Sequence, residues 1–360
     1  METLTWAQVL GWRMRRQYLD DLDAPSVAGV ASRLAGVQAQ VGSAAELAVT
    51  VRGGPAGAMS DPTVVKTWAM RGTLHLLPFE SAGAYLALVA TVRNWEKPSW
   101  QRNFGATPAD IEAIAAAASS VLSADVPLTR EELTAEIVER TGSEHLAEVL
   151  GSGWGTLLKP LAWWGVLCYG PPRGGRVTFT APAYTLPSVE EAARTVIPAF
   201  LGAHGPATPE MFDNWLVRKQ SRKKDVRGWF EAAADLLTTV SVEGVEMYAV
   251  AAHADELVAA VPSTSVRLLG GFDQYILGAG TDATYLIDPG VRARVSRTGG
   301  WISPVVISGG RVAGVWELAD GTITVDAFTD IPQAALESEI TRVGALTLTA
   351  RAGTGPADPA

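Results

Sequence analysis

The spacing of hydrophobic and polar positions changes along the chain in a pattern that repeats three times. In "VAGVASRLAGVQ", from Val27, the apolar residues recur at helical spacing. "SAAELAVTVR" predicts a second helix, with Ser43 as N-cap and Glu46 completing a capping box. "DPTVVKTWAM" predicts a third, opened by Asp61 as N-cap and Pro62 at the first helical position. "GTLHLLP" then predicts a strand. The order returns in "PLTREELTAEIVERTG", "SGWGTLLKPLAWWG" and the hairpin "VLCYGPPRGGRVTFT". It returns again in "ATPEMFDNWLV", "SRKKDVRGWFEAAADLL" and "TTVSVEGVEMYAVAA", with Glu243 and Gly244 at the turn. Two helices followed by a hairpin is the winged-helix arrangement. After Val261 the pattern shortens: "VRLLGGFDQYILG", a hairpin in "VVISGGRVAGVW" around Gly309 and Gly310, a strand in "GTITVDAF", and a helix in "PQAALESEITRVGALTL". The fold class expected is mixed α/β (α+β), with tandem winged helices and a C-terminal β-rich unit, a small antiparallel sheet or partial barrel. The expected boundaries are 1–105, 106–195, 196–260 and 261–352, with a disordered tail at 353–360.

Composition narrows the class. The chain has 360 residues, 48% of them hydrophobic and 19% charged, which suits globular units with real cores. A lone cysteine, Cys168, excludes an intramolecular disulfide framework. No signal peptide or membrane span is read, so a soluble cytoplasmic protein is expected. His75, His145, His204 and His253 are scattered, and no metal site, phosphate loop or serine nucleophile elbow is legible. Asp20, Asp21 and Asp23 read as a solvated loop.

The net charge of −9 argues against nucleic acid, but its distribution does not. Residues 110–148 hold nine acids and two bases, whereas "RKQSRKKDVR", 218–227, holds six bases and one acid. Screening confines a surface field to about 10 Å, so one basic face is enough for a DNA contact. The basic run is equally well read as a solvated helix surface. Candidate phosphate contacts are Arg218, Lys219, Arg222, Lys223 and Lys224, with Arg173 and Arg176 in the second hairpin. Arg292, Arg294 and Arg297 alternate in "VRARVSR" and would share one face of a strand. Lys66 and Arg71 flank the third predicted helix. His75 follows in the strand, where a core-packed role is as open as a phosphate contact.

"VQAQ", "WAMRGTLHLLP", "YGPPRGGRVTFT", "GPATPEMFDNW" and "LLGGFDQYILG" occur in order over roughly residues 4–350. Together they resemble the bacterial winged-helix DNA glycosylases that unhook interstrand crosslinks, the AlkZ type. The resemblance places a catalytic glutamine–apolar–glutamine motif at Gln38, Ala39 and Gln40; the central residue is usually bulkier than alanine. In a regular helix, residues two apart point to nearly opposite sides; in an extended segment they face the same way. Gly36 and Gly42 permit such a segment. A purine alkylated at N7 is already cationic and leaves without protonation. Two amides that hold a water and stabilise an oxocarbenium-like sugar then suffice. The resemblance thus implies a monofunctional DNA glycosylase for N7-alkylated purines, crosslinks included, in DNA repair or self-resistance to a genotoxin. It implies action as a monomer on double-stranded DNA at the nucleoid, with no cofactor or metal. Two other readings remain: capping or surface roles for the glutamines, and a non-catalytic winged-helix DNA-binding protein or regulator.

Overall fold

Three small sheets repeat one strand order. The computed structural model describes residues 3–151 and 155–353. It opens with strand β1 (Thr3–Leu4) and helix α1 (Trp6–Arg16). The first repeat is α2 (Val27–Arg33), β2 (Val37–Gln38), α3 (Gly42–Thr50), β3 (Val64–Trp68) and β4 (Leu74–Pro78), with sheet order β2-β4-β3. Helices α4 (Ala82–Ala90) and α5 (Pro98–Phe104) lead to the second repeat. That is α6 (Pro108–Val121), β5 (Leu128–Thr129), α7 (Arg130–Thr141), α8 (Glu144–Gly151), α9 (Lys159–Trp163), β6 (Cys168–Arg173) and β7 (Arg176–Thr180), with order β5-β7-β6. The third is α10 (Val189–His204), α11 (Pro209–Val217), α12 (Lys223–Ala232), β8 (Leu237–Val242) and β9 (Val245–Val250). Its first strand is reduced to a single bridge, Ala207 to Tyr248, and β1 pairs in parallel along the free edge of β8. Covering that edge removes a row of unpaired backbone groups. Residues 3–16 therefore pack with the third repeat and the C-terminal unit: Val9 and Trp12 lie with Val240 and Met247, while Leu10 and Met14 lie with Val266 and Ile307.

The C-terminal unit is an open antiparallel sheet, β10-β11-β12-β13, following α13 (Ala254–Val258). Its elements are β10 (Val266–Leu269), α14 (Gln274–Ala279), α15 (Arg292–Val295), β11 (Val305–Ser308), β12 (Arg311–Ala319), β13 (Thr322–Ala327) and α16 (Gln333–Gly353). The three repeats share one continuous apolar cluster that takes Trp68 and Leu77, Ile111 and Leu161, and Phe200 and Trp215.

Three local expectations fail. Residues 61–70 hold the strand Val64–Trp68 and no α-helix: Val64, Val65 and Thr67 are β-branched, and Val65 and Thr67, two apart, are both buried. Asp61 caps a turn, accepting from the Thr63 N–H at 2.8 Å. Between α3 and β3 there is only a single 3₁₀ turn, Ala58–Ser60, where the other repeats carry α9 and α12. Ser43 is not the N-cap of α3; Val41 is, and no side chain caps it. Glu46 instead accepts from the N–H groups of Gly57, Ala58 and Met59 at 3.0, 3.0 and 2.9 Å. "VRARVSR" is not a strand: Arg292 and Arg294 lie on the short helix α15 and do not share a face. Ser152 to Trp154 of the second helical expectation, and residues 354–360 of the expected tail, fall outside the described residues.

The first repeat is fastened to the C-terminal unit by a buried ion pair. Both Arg52 and Asp273 have fully enclosed side chains, with two Nη–Oδ contacts of 2.8 Å. Arg52 also donates to the Gln17 and Ala48 carbonyls at 3.0 and 2.8 Å, and Asp273 caps α14 by accepting from the Tyr275 N–H at 2.8 Å. Arg52→Ala and Asp273→Asn should each lower the unfolding free energy by about 3–5 kcal/mol, because each strands the other buried group. Arg52→Met combined with Asp273→Leu should cost less than the two single changes added together. Urea denaturation followed by tryptophan fluorescence measures all of these; strictly additive costs would show that the two ions do not act as a pair.

Candidate catalytic and DNA-binding site

The segment holding Gln38 and Gln40 is made extended by a left-handed reversal. After α2, Ala35 and Gly36 take φ values of 52° and 104°. A Cβ on Gly36 would lie 2.9 Å from Leu77 Cδ2 and Met70 Cε, side-chain ends that could shift, so it is the left-handed φ that favours glycine here. Strand β2 then pairs with β4, Val37 opposite Leu76 and Gln38 opposite His75. The ladder continues to Ala39, whose N–H donates to the Leu74 carbonyl at 2.8 Å. Ala39 is fully buried in a cluster with Val37, Val49 and Leu76, so the small central residue is braced from within.

Both amides meet the same end of the β3–β4 hairpin. Gln38 is buried, and its Oε1 accepts from Arg71 Nη2 at 3.4 Å. Gln40 is exposed, and its Oε1 accepts from the Leu74 N–H at 3.4 Å. Arg71 occupies a left-handed position, φ 58°, and its Nη1 donates to the Trp215 carbonyl of the third repeat at 3.1 Å. Burial, and then the neighbouring Arg218, lower its pKa to about 10, so the guanidinium remains charged at neutral pH.

Gln38, His75 and Thr67 lie directly opposite one another across β2, β4 and β3, so they form a row on one face of the sheet. His75 is enclosed. Its Nδ1 lies 3.1 Å from the Thr73 carbonyl, which assigns the proton to that nitrogen, and its Nε2 has no partner among the described residues. Burial first, and Arg71 second, hold its pKa near about 3, so the ring is neutral. An enclosed neutral imidazole does not suit the phosphate contact considered for it. Lys66 is half-buried, with its ammonium 5.2 Å from the centre of the Tyr169 ring.

The other basic residues scatter more widely. Arg173 pairs with Glu132, and Arg176 faces it in register across the second hairpin, exposed. Arg218 and Lys219 follow α11 in left-handed conformation. Arg222 bonds Asp225 at 2.7 Å, while Lys219, Lys223 and Lys224 are exposed and unpaired among the described residues. Arg292 donates to the Thr281 carbonyl at 2.9 Å; Arg294 pairs with Asp326 and lies 4.7 Å over Phe328; Arg297 is exposed. Of the predicted residues, the fold brings together Gln38, Gln40, Arg71, His75 and Arg218. Sequence reasoning missed Lys159, which shares with Arg71 an open cleft of about 510 Å³ at the junction of the three repeats. Nothing in "TLLKPL" marks that lysine; only the fold places it beside Arg71. Among the described residues there is no cluster that could hold a metal, and no helix long and apolar enough to cross a membrane.

Known proteins resemble this chain in sequence and in fold. A family described as DNA glycosylase AlkZ-like matches residues 31–346. An interstrand DNA cross-link repair glycosylase of Streptomyces sahachiroi is 47% identical over 355 residues, covering 94% of this chain and 95% of that protein. The solved structure of the Streptomyces sahachiroi DNA glycosylase AlkZ superposes with a TM-score of 0.90 at 45% identity, over 96% of this chain and 98% of that one. Matched over most of its length in sequence and in fold, the chain belongs to the AlkZ-like family of DNA glycosylases.

Proposed function

We propose that the protein hydrolyses the N-glycosidic bond of N7-alkylated, cationic purines in duplex DNA, releasing the base without cutting the strand, and that it unhooks interstrand crosslinks joined through such bases. The observation that supports this reading most directly is the placement of two glutamine amides against one hairpin end, with Ala39 buried between them. Gln38 and Gln40 hold the water that attacks C1′ and stabilise positive charge on the sugar. Each amide oxygen has two lone pairs. Arg71 occupies one on Gln38 and so fixes the amide, leaving the other for water. The base carries its own positive charge, so no general acid is needed. His75 stays neutral and is not that acid.

Gln38→Ala and Gln40→Ala should each slow base release by about 10²-fold or more, the scale for loss of one electrostatic partner. Single-turnover release of 7-methylguanine, followed by chromatography of the free base, measures this. Full activity in both variants would end the assignment.

Neither amide titrates, and His75 takes up a proton only near about pH 3. The single-turnover rate should therefore vary little between about pH 6 and 8.5. Uracil and 8-oxoguanine, being uncharged, should stay in the DNA. A bell-shaped pH profile, or efficient uracil release, would contradict this chemistry.

Lys219, Lys223 and Lys224 are proposed to meet phosphate. Changing all three to Ala should weaken binding to every duplex alike, and flatten the slope of log K against log salt by up to about 0.9 per lost contact. An unaltered slope in anisotropy titrations would place this run away from the duplex.

A further inference from the structure

The cleft at the junction of the repeats is lined by Arg71 from the first, Lys159 from the second and Gln220 from the third, and by the exposed Lys97. Among the described residues, no aspartate or glutamate lines it. A Cβ on Gly72 would lie 3.8 Å from Lys159 Nζ, which sets the ammonium against the same hairpin end as Gln38 and Gln40. Lys159 is half-buried and has no ion pair among the described residues. Burial lowers the proton affinity of Lys159 and Arg71, and Arg218 lowers both further. Arg71, Lys159 and Lys97 thus share one cleft, with Arg218 close enough to act on the first two. Sparsely solvated cations are costly unless an anion completes them.

We propose that this cleft grips a phosphodiester of the duplex beside the target nucleotide, through Lys159 and Arg71 with Arg218 alongside, and that the damaged base lies elsewhere. The sign of the charge decides between these two occupants. An N7-alkylated purine is a cation, and a cleft lined by cations repels it; a phosphodiester is an anion and neutralises the cluster. Arg71 uses two donors on Gln38 and Trp215 and has five in all, so it can hold the amide and a phosphate together. Such a phosphate would fix the sugar next to the amides. The location of the lesion rests on the glycosylase reading; the phosphate grip requires only that DNA binds.

The test compares wild type with Lys159→Met and Lys159→Arg in anisotropy titrations over a salt series, using an undamaged duplex and one carrying 7-methylguanine. The Met variant should bind both duplexes about tenfold more weakly, with a salt slope shallower by about 0.9, and the Arg variant should restore both. Undamaged duplex should also protect Lys159 of the wild-type protein from amine acylation, read by mass spectrometry, whether or not the Met variant folds. Wild-type affinity and slope in a folded Met variant, or unprotected Lys159, would overturn the proposal. Weakening confined to the damaged duplex would make the cleft the seat of the lesion and overturn it too, as would a borohydride-trapped adduct between Lys159 and the sugar. Absence of base release would refute the glycosylase chemistry while leaving the undamaged-duplex result interpretable.

Discussion

The enclosed pair between Arg52 and Asp273 fixes where the first repeat sits. A buried guanidinium needs a partner for most of its five donors, and a buried carboxylate without a cation costs several kcal/mol. Arg52 meets this demand from four directions: Asp273, the Ala48 carbonyl, and the backbone and side chain of Gln17. Gln17 in turn donates to the Ala203 carbonyl at 2.8 Å. One charge network therefore holds the ends of α1, α3 and α10 and the start of α14. The Gln38–Gln40 segment immediately precedes α3, so its position follows from that network. Two other arginines use the same device. Arg13 donates to the Gly205 carbonyl at 3.0 Å, and Arg71 to the Trp215 carbonyl at 3.1 Å, each reaching backbone of the third repeat.

What was legible in the chain was what short-range chemistry decides. Glu243 and Gly244 take φ of 48° and 85°, as a tight hairpin turn demands, and Gly309 and Gly310 take 57° and 83°. Thr208 before Pro209 caps α11 by accepting from the Met211 N–H. The failures came where one local signal competed with another. Asp61–Pro62 looked like a helix start, but the β-branched residues after it and pairing with β4 prevailed. Arg292 and Arg294 alternate as a strand would, but Arg297 breaks the period, the first two lie on α15, and only Ser296 of the described run makes a bridge, to Ile302.

The site divides in the same way. An extended segment at Gln38 followed from the glycine before it, and the bracing of Ala39 did not conflict with its small size. Lys159 and the cleft could not be read, because they depend on how three repeats meet. That meeting is set by a cluster running from Trp68 to Trp215, through residues far apart in the chain. The lost helix of the first repeat also belongs to this level. Only a 3₁₀ turn stands between α3 and β3, whereas α9 and α12 occupy that place in the other two repeats.

Electrostatics then joins the two levels. The protein is acidic overall, but acids such as Glu112, Glu131, Glu139 and Glu148 are exposed on α6 to α8, whereas among the described residues no acid lines the junction cleft. Close to the amides the charged groups are the buried guanidinium of Arg71 and the cations beside it, and the nearest imidazole is kept neutral. Such surroundings disfavour the approach of a cationic base until the phosphates that come with it are counted. On the proposed reading, each bound phosphodiester offsets one of those cations, so the field at the amides moves toward neutral once DNA is in place. On that reading, the amide dipoles of Gln38 and Gln40 stabilise the oxocarbenium-like sugar, and the phosphates of the duplex add negative charge to theirs. A normal purine gains nothing further, since no acid stands ready to protonate it. Selectivity for alkylated bases then follows from what the site lacks as much as from the two glutamines it holds.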